Sequence, residues 1–191
     1  MASVLDYLLG RGLPFLVLPA PDVVSVADTI AAHGVNEGDV VRTEVMIGLM
    51  GPALMVVPGS RYLDLELAQV ALQDPGARFA THAEIRSLAP DCEIGAVPPL
   101  SLFLLAPMFV DPAVAEMSKV VFPAGRNNVL IRMEREDLFR DDPYVVVALT
   151  RESYVPEPLL APSRRQVLAD DEDLLPVHLS EQPSDRPADV A

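Results

Sequence analysis

Apolar residues recur along the chain in two rhythms. Val4, Leu5, Leu8 and Leu9 fall on one helical face ahead of Gly10 and Gly12, which predicts a short helix, and the apolar run 15–18 predicts a strand. Ser25 and Asp28 have the spacing of a capping pair before Val26, Ala27, Ile30 and Ala31, and Gly34 is placed to end that helix. Residues 40–49 and 53–57 are apolar segments separated by Gly51 and Pro52, a hairpin signal.

The second half repeats the alternation in shorter pieces. Leu65, Ala68, Ala71 and Leu72 share a helical face over 64–72, closed by Pro75 and Gly76, and 77–80 reads as a strand. Thr81 and Glu84 form a capping box that opens a helix over 81–88. A long Pro-rich loop over 92–107 precedes predicted strands at 108–110, 120–122 and 128–133, with short helices at 111–117 and 134–139 and a β-branched run at 144–149. Strands and helices alternate without a strict βαβ rhythm, so the expected class is α+β: a curved mixed β-sheet with flanking short helices.

Length and charge narrow the class. With 191 residues, half of them hydrophobic, the chain can build one core. From residue 152 the composition turns to Pro, Asp, Glu and Ser around the acidic run Asp170 to Asp173, so the expected organisation is a domain over 1–151 and a flexible acidic tail over 152–191. The formal net charge is −14, from 14 Lys+Arg against 28 Asp+Glu, and the body stays acidic without the tail. Sequence-independent binding to duplex DNA or to an anionic membrane face needs a basic field and is not expected. The uncharged stretches 45–60 and 94–110 are interrupted by Pro and Gly and fall short of the ~20 residues of a membrane helix. With no signal peptide read at the start, the expected location is cytoplasmic.

Candidate chemistry is sparse. His33, His82 and His178 have no metal-ligand spacing, so neither a metal nor another cofactor is expected. Cys92, the single cysteine, reads either as a nucleophile served by His82 or as a small core residue. Residues 91–100 contain Gly95, Pro98 and Pro99 in an apolar loop. Either its free backbone N–H groups receive a carbonyl oxygen, as acyl transfer requires, or it only connects elements. The segment 124–128 carries Arg126 at a hairpin tip, as a binding cation or as part of an ordinary turn.

Taken in order, several segments resemble the YbaK/prolyl-tRNA-synthetase-associated family of aminoacyl-tRNA editing domains. They are Asp39-Val-Val-Arg-Thr43, Val57-Pro-Gly-Ser-Arg-Tyr-Leu-Asp-Leu65, Gly95-Ala-Val-Pro-Pro99, Met108-Phe-Val-Asp-Pro112, Val120-Val-Phe-Pro-Ala-Gly-Arg126 and Glu136-Asp-Leu138. The resemblance implies hydrolysis of the ester that joins a small wrong amino acid to the 3′ end of tRNA. The enzyme would act in trans, with an aminoacyl-tRNA synthetase as a second candidate partner.

The family's Gly-x-x-x-Pro motif falls on Gly95 and Pro99. With Arg42 these make the implied catalytic set, and Ala96, Val97, Pro98, Leu100, Gly125, Arg126 and Arg61 the implied substrate-binding set, with Arg132 a further cation for the tRNA end. Arg42 stands where the family has a lysine: it keeps the charge but cannot give up its proton, so base chemistry there is excluded. Leu130 and Ala20 stand near positions that are acidic and aromatic in cysteine-specific members, which argues against that specificity. The alternative is a catalytically degenerate module that binds a tRNA end or a protein.

Overall fold

The computed structural model describes residues 3–20 and 26–151. The predicted cap at Ser25, His178 and the acidic tail lie outside the described residues. Helix α1 (Val4–Gly10) opens with a capping box that the sequence reading missed: the Ser3 hydroxyl accepts the Asp6 N–H while the Asp6 carboxylate accepts the Ser3 N–H. Strand β1 (Leu16–Pro19) and helix α2 (Val26–Ala32) follow, and a single 3-10 turn, Glu37–Asp39, leads into β2 (Val41–Gly48).

Strand β3 (Gly51–Pro58) returns beside β2 with Gly48 opposite Gly51, so the turn is Leu49-Met50 and not Gly51-Pro52. The closing pair of a two-residue hairpin is hydrogen-bonded and the next pair, Ile47 with Pro52, is not; Pro52 therefore needs no N–H toward β2 and fits inside the strand.

Helix α3 (Leu65–Leu72) starts at Asp64, whose carboxylate accepts the Leu67 N–H, and β4 (Arg78–Phe79) precedes α4 (His82–Leu88) with its Thr81–Glu84 capping box. The expected loop over 92–107 is interrupted by one helical turn, α5 (Ser101–Leu104). Four residues with no side-chain cap leave too little periodicity to detect. Then come β5 (Met108–Val110), α6 (Pro112–Ala115), β6 (Lys119–Arg126), β7 (Val129–Glu134), α7 (Arg135–Leu138) and β8 (Val145–Val146).

The class is α+β, with the strands in two sheets. One is antiparallel, in the order β1-β7-β6; the other is mixed, in the order β4-β2-β3-β5-β8, with β5 parallel to both β3 and β8. A single parallel bridge, Val40 to Val121, joins them. Strand alternation explains the layers. Val41, Val45, Leu54 and Val56 from one sheet and Val120, Phe122, Ile131 and Met133 from the other share the main core with Val4 and Leu8 of α1. The opposite face of the mixed sheet, with Met46, Met55 and Val57, packs on Ala68 of α3. The opposite face of the antiparallel sheet, with Val121 and Leu130, packs on Ile30 of α2.

Asp111 fastens the last described residues to this frame. It is 3% exposed; one oxygen accepts the Ala113 N–H and caps α6, and the other accepts the Leu149 and Thr150 N–H groups and the Thr150 hydroxyl, all at 3.0 Å.

Candidate functional site

A cavity of about 410 Å³ opens where the two sheets meet. Its walls come from the start of β2 (Val40, Val41, Arg42), the turn after β3 (Gly59, Ser60), Ala27 and Ile30 of α2, Glu37, Gly95 and Pro123 of β6. The size suits a small ligand group. Local chemistry explains why these pieces can meet. Gly59 donates its N–H to the Val40 carbonyl at 2.7 Å, and a Cβ at Gly59 would lie 2.7 Å from the Val40 side chain, so only glycine allows this approach. Gly95 is the third residue of a turn closed by the Ala96 N–H on the Glu93 carbonyl at 3.0 Å; its φ of +84° is the left-handed value that such a turn requires and glycine supplies.

Arg42 and Gly95, both in the catalytic set that the resemblance implies, line one cavity. The remaining loop residues, Ala96, Val97, Pro98, Pro99 and Leu100, are buried, and Val97 and Leu100 belong to the main core. Gly125 is buried with φ +84° in a bulge of β6, and a Cβ there would come within 3.3 Å of the Cys92 sulfur. Arg126 is exposed at the last position of β6, and Arg61 is half-buried next to Ser60. Arg132 lies on β7 beside a different, smaller cavity. Sequence reading missed Ile30, Val40, Gly59 and Pro123 as walls, because each is an ordinary apolar or turn residue until the sheets are brought together.

Arg42 is held by several partners. Its Nη2 donates to the Arg61 carbonyl at 2.7 Å and lies 3.8 Å from a Glu44 carboxylate oxygen, while the guanidinium carbon sits 4.7 Å from the centre of the Tyr62 ring. Its Nε is buried with no hydrogen-bond partner among the described residues. Burial pushes the Glu44 carboxyl above the usual carboxylate range, and the charge of Arg42 opposes that shift.

Cys92 is a core residue. Burial first, and the Asp91 charge second, push its thiol up to about 11, so it carries no thiolate at neutral pH. His33 is occupied at the end of α2, where Nε2 lies 2.8 Å from the Pro19 carbonyl oxygen. Among the described residues no three His, Cys, Asp or Glu side chains cluster so as to hold a metal ion, and no helix is long and apolar enough to cross a membrane.

Residues 20–140 match the aminoacyl-tRNA editing domain family, and the chain belongs to that family. Among solved structures, it is similar to the hypothetical protein APE2540, with 26% identity, a TM-score of 0.68, and 78% of this chain and 99% of that one covered. It is also similar to a candidate trans-editing enzyme for prolyl-tRNA synthetase, with 28% identity, a TM-score of 0.65, and 75% and 92% covered. A larger protein from Marinobacter aquaeolei VT8, described as a candidate signal transduction protein, shares the fold at 19% identity and a TM-score of 0.58, with 94% of this chain and 38% of that one covered. No curated protein sequence matches the chain.

Proposed function

We propose that the protein is a cytoplasmic, trans-acting deacylase that hydrolyses the ester of a small mischarged amino acid on the 3′ end of tRNA. The observation that carries this reading is the cavity at the meeting of the sheets, which Arg42 and the Gly95 turn both line; the resemblance puts the family's Gly-x-x-x-Pro motif at Gly95 and its lysine position at Arg42.

An aminoacyl ester is already activated, so the site has to orient it, stabilise the developing oxyanion and admit one water. The Gly95 N–H makes no backbone hydrogen bond among the described residues, which leaves it for the carbonyl oxygen. Ala96, Val97, Pro98, Pro99 and Leu100 support that turn from the core side. Arg42, permanently charged, meets the terminal adenosine or its phosphate, and Arg61 and Arg126, with Gly125 shaping the bulge before it, add local positive charge on an acidic body. Water adds to the ester carbonyl and the ribose oxygen leaves, giving a free amino acid and an uncharged tRNA end. The vicinal ribose hydroxyl and the substrate amine supply proton transfer, so no protein nucleophile or cofactor enters.

The second reading is a binding module without catalysis. Arginine at position 42, where the family has a lysine, favours it: the guanidinium, anchored on the Arg61 carbonyl and the Tyr62 ring, keeps a charge for binding but cannot give up a proton for turnover. Single-turnover deacylation of alanyl, cysteinyl, seryl and prolyl esters of tRNA at low salt, with Gly95→Ala alongside, separates the two. Loss of one ester in wild type that slows in the variant supports the deacylase. Spontaneous rates with the tRNA still bound support the binding module.

A further inference from the structure

Three walls of the cavity are tied together at one residue, Asn127. Glu93 donates its N–H to the Gly125 carbonyl at 2.8 Å, and its Oε2 accepts the Asn127 N–H at 2.8 Å. Its carbonyl closes the turn that carries Gly95. On the other side of the hairpin tip, the Thr29 hydroxyl of α2 donates to the Asn127 carbonyl at 3.0 Å, and Thr29 is fully buried. The Gly95 turn, the β6–β7 hairpin that carries Pro123, and the helix that carries Ala27 and Ile30 are therefore tied together through Asn127.

We propose that Glu93 is a positioning residue that fixes the width of the cavity between Gly95 and Pro123, and with it the largest acyl side chain the site admits. This rests on the deacylase reading of the same cavity. The walls there are small and apolar, and apolar walls reject an extra methylene only if they cannot yield. Glycine at position 95, with φ +84° and no side chain to pack, gives no stiffness of its own. The stiffness comes from the hydrogen bond that the Glu93 side-chain oxygen accepts from the hairpin tip. Sequence gives no sign of this role, because a glutamate two residues before a glycine reads as a solvated loop residue.

The test compares wild type, Glu93→Gln, which keeps an acceptor oxygen, and Glu93→Ala, which does not. Single-turnover rates are read on alanyl and valyl esters of one tRNA, with amide hydrogen exchange at Ala96 and at residue 93 measured on the same proteins. For Glu93→Ala the valyl-to-alanyl rate ratio rises about tenfold, the alanyl rate stays within about threefold, and exchange at Ala96 and residue 93 quickens while the β2–β3 amides keep theirs. Glu93→Gln stays near wild type in all three. An unchanged ratio in Glu93→Ala, or a Glu93→Gln variant that behaves like Glu93→Ala, overturns the size-limit role. If wild type cleaves neither ester, the deacylase reading falls, and exchange decides the remainder: faster exchange in Glu93→Ala upholds Glu93 as the anchor of the turn, and unchanged exchange overturns it.

Discussion

Arg42 reaches across from β2 to donate a hydrogen bond to the main-chain carbonyl of Arg61, 2.7 Å away, and so binds the start of one strand to the turn that leaves its neighbour. A lysine has no planar fork to span that carbonyl and the Tyr62 ring together. Arg42→Lys is therefore expected to lower, not restore, affinity for a tRNA 3′ end, by about tenfold, and to cost about 1–2 kcal/mol of stability. Filter binding and thermal melts on the same variant check both; a gain of activity with lysine would show that arginine has no role of its own.

Gly59 and Gly95 line the same cavity but fail differently when changed. A methyl group at Gly59 collides with Val40 at 2.7 Å, so Gly59→Ala is expected to cost about 1–3 kcal/mol through overpacking. At Gly95 the nearest atom to an added Cβ is 3.9 Å away, and the cost is conformational, about 1 kcal/mol. Melting curves should rank Gly59→Ala well below Gly95→Ala, while deacylation falls in both.

The Cys92 thiol, held at about 11, is expected to ignore thiol reagents at pH 8 in the native protein and to react once the chain is unfolded. Cys92→Ala should leave hydrolysis within about twofold, at a stability cost of about 1 kcal/mol. Rapid labelling of the native protein would contradict the burial.

Glu84 accepts two hydrogen bonds from Arg78, at 2.9 and 2.8 Å, and caps α4; Arg78 first, then the Thr81 N–H and hydroxyl, hold its carboxyl down from the usual 4.5 to about 2. A carboxyl lowered in the folded state contributes stability above its unfolded value, and that contribution is lost as pH falls from about 4.5 toward 2. Glu84→Gln keeps a capping side chain but removes the charge. It should be less stable than wild type at neutral pH and show a shallower fall in stability across that acid window in urea titrations.

Asp111 gathers four donors on one buried carboxylate, from Ala113, Leu149 and, twice, Thr150. Asp111→Ala leaves those donors without an acceptor and is expected to cost about 3 kcal/mol or more. Asp111→Asn, which keeps an acceptor, should cost less, and chemical denaturation measures the difference.

Much of the fold could be read from local chemistry. The capping box at Thr81 and the glycine at 34 mark helix ends because backbone groups there need specific partners, and the hairpin signal at Gly51 and Pro52 was displaced from the real turn by only two residues. The division into two sheets was not legible, because Val40 and Val121 meet across more than eighty positions of sequence and nothing in either segment announces the other. The same distance hid half the cavity. Arg42 and Gly95 stood out by type and motif, whereas Ile30, Gly59 and Pro123 become walls only after the chain has folded. The pattern of the Gly95 loop also concealed that its next five residues face inward, since a Pro-rich apolar run looks alike whether it lines a pocket or props one up.

The Val40–Val121 bridge has a wider consequence. It is the one backbone pairing between the sheets among the described residues, and the cavity draws walls from both of them. The shape of the recess is thus inherited from the interior as much as from the groups that face a ligand. A bulkier or slimmer side chain at Phe122 or Leu54, deep in the shared core, is expected to change the size of ligand group the recess admits without ever meeting it.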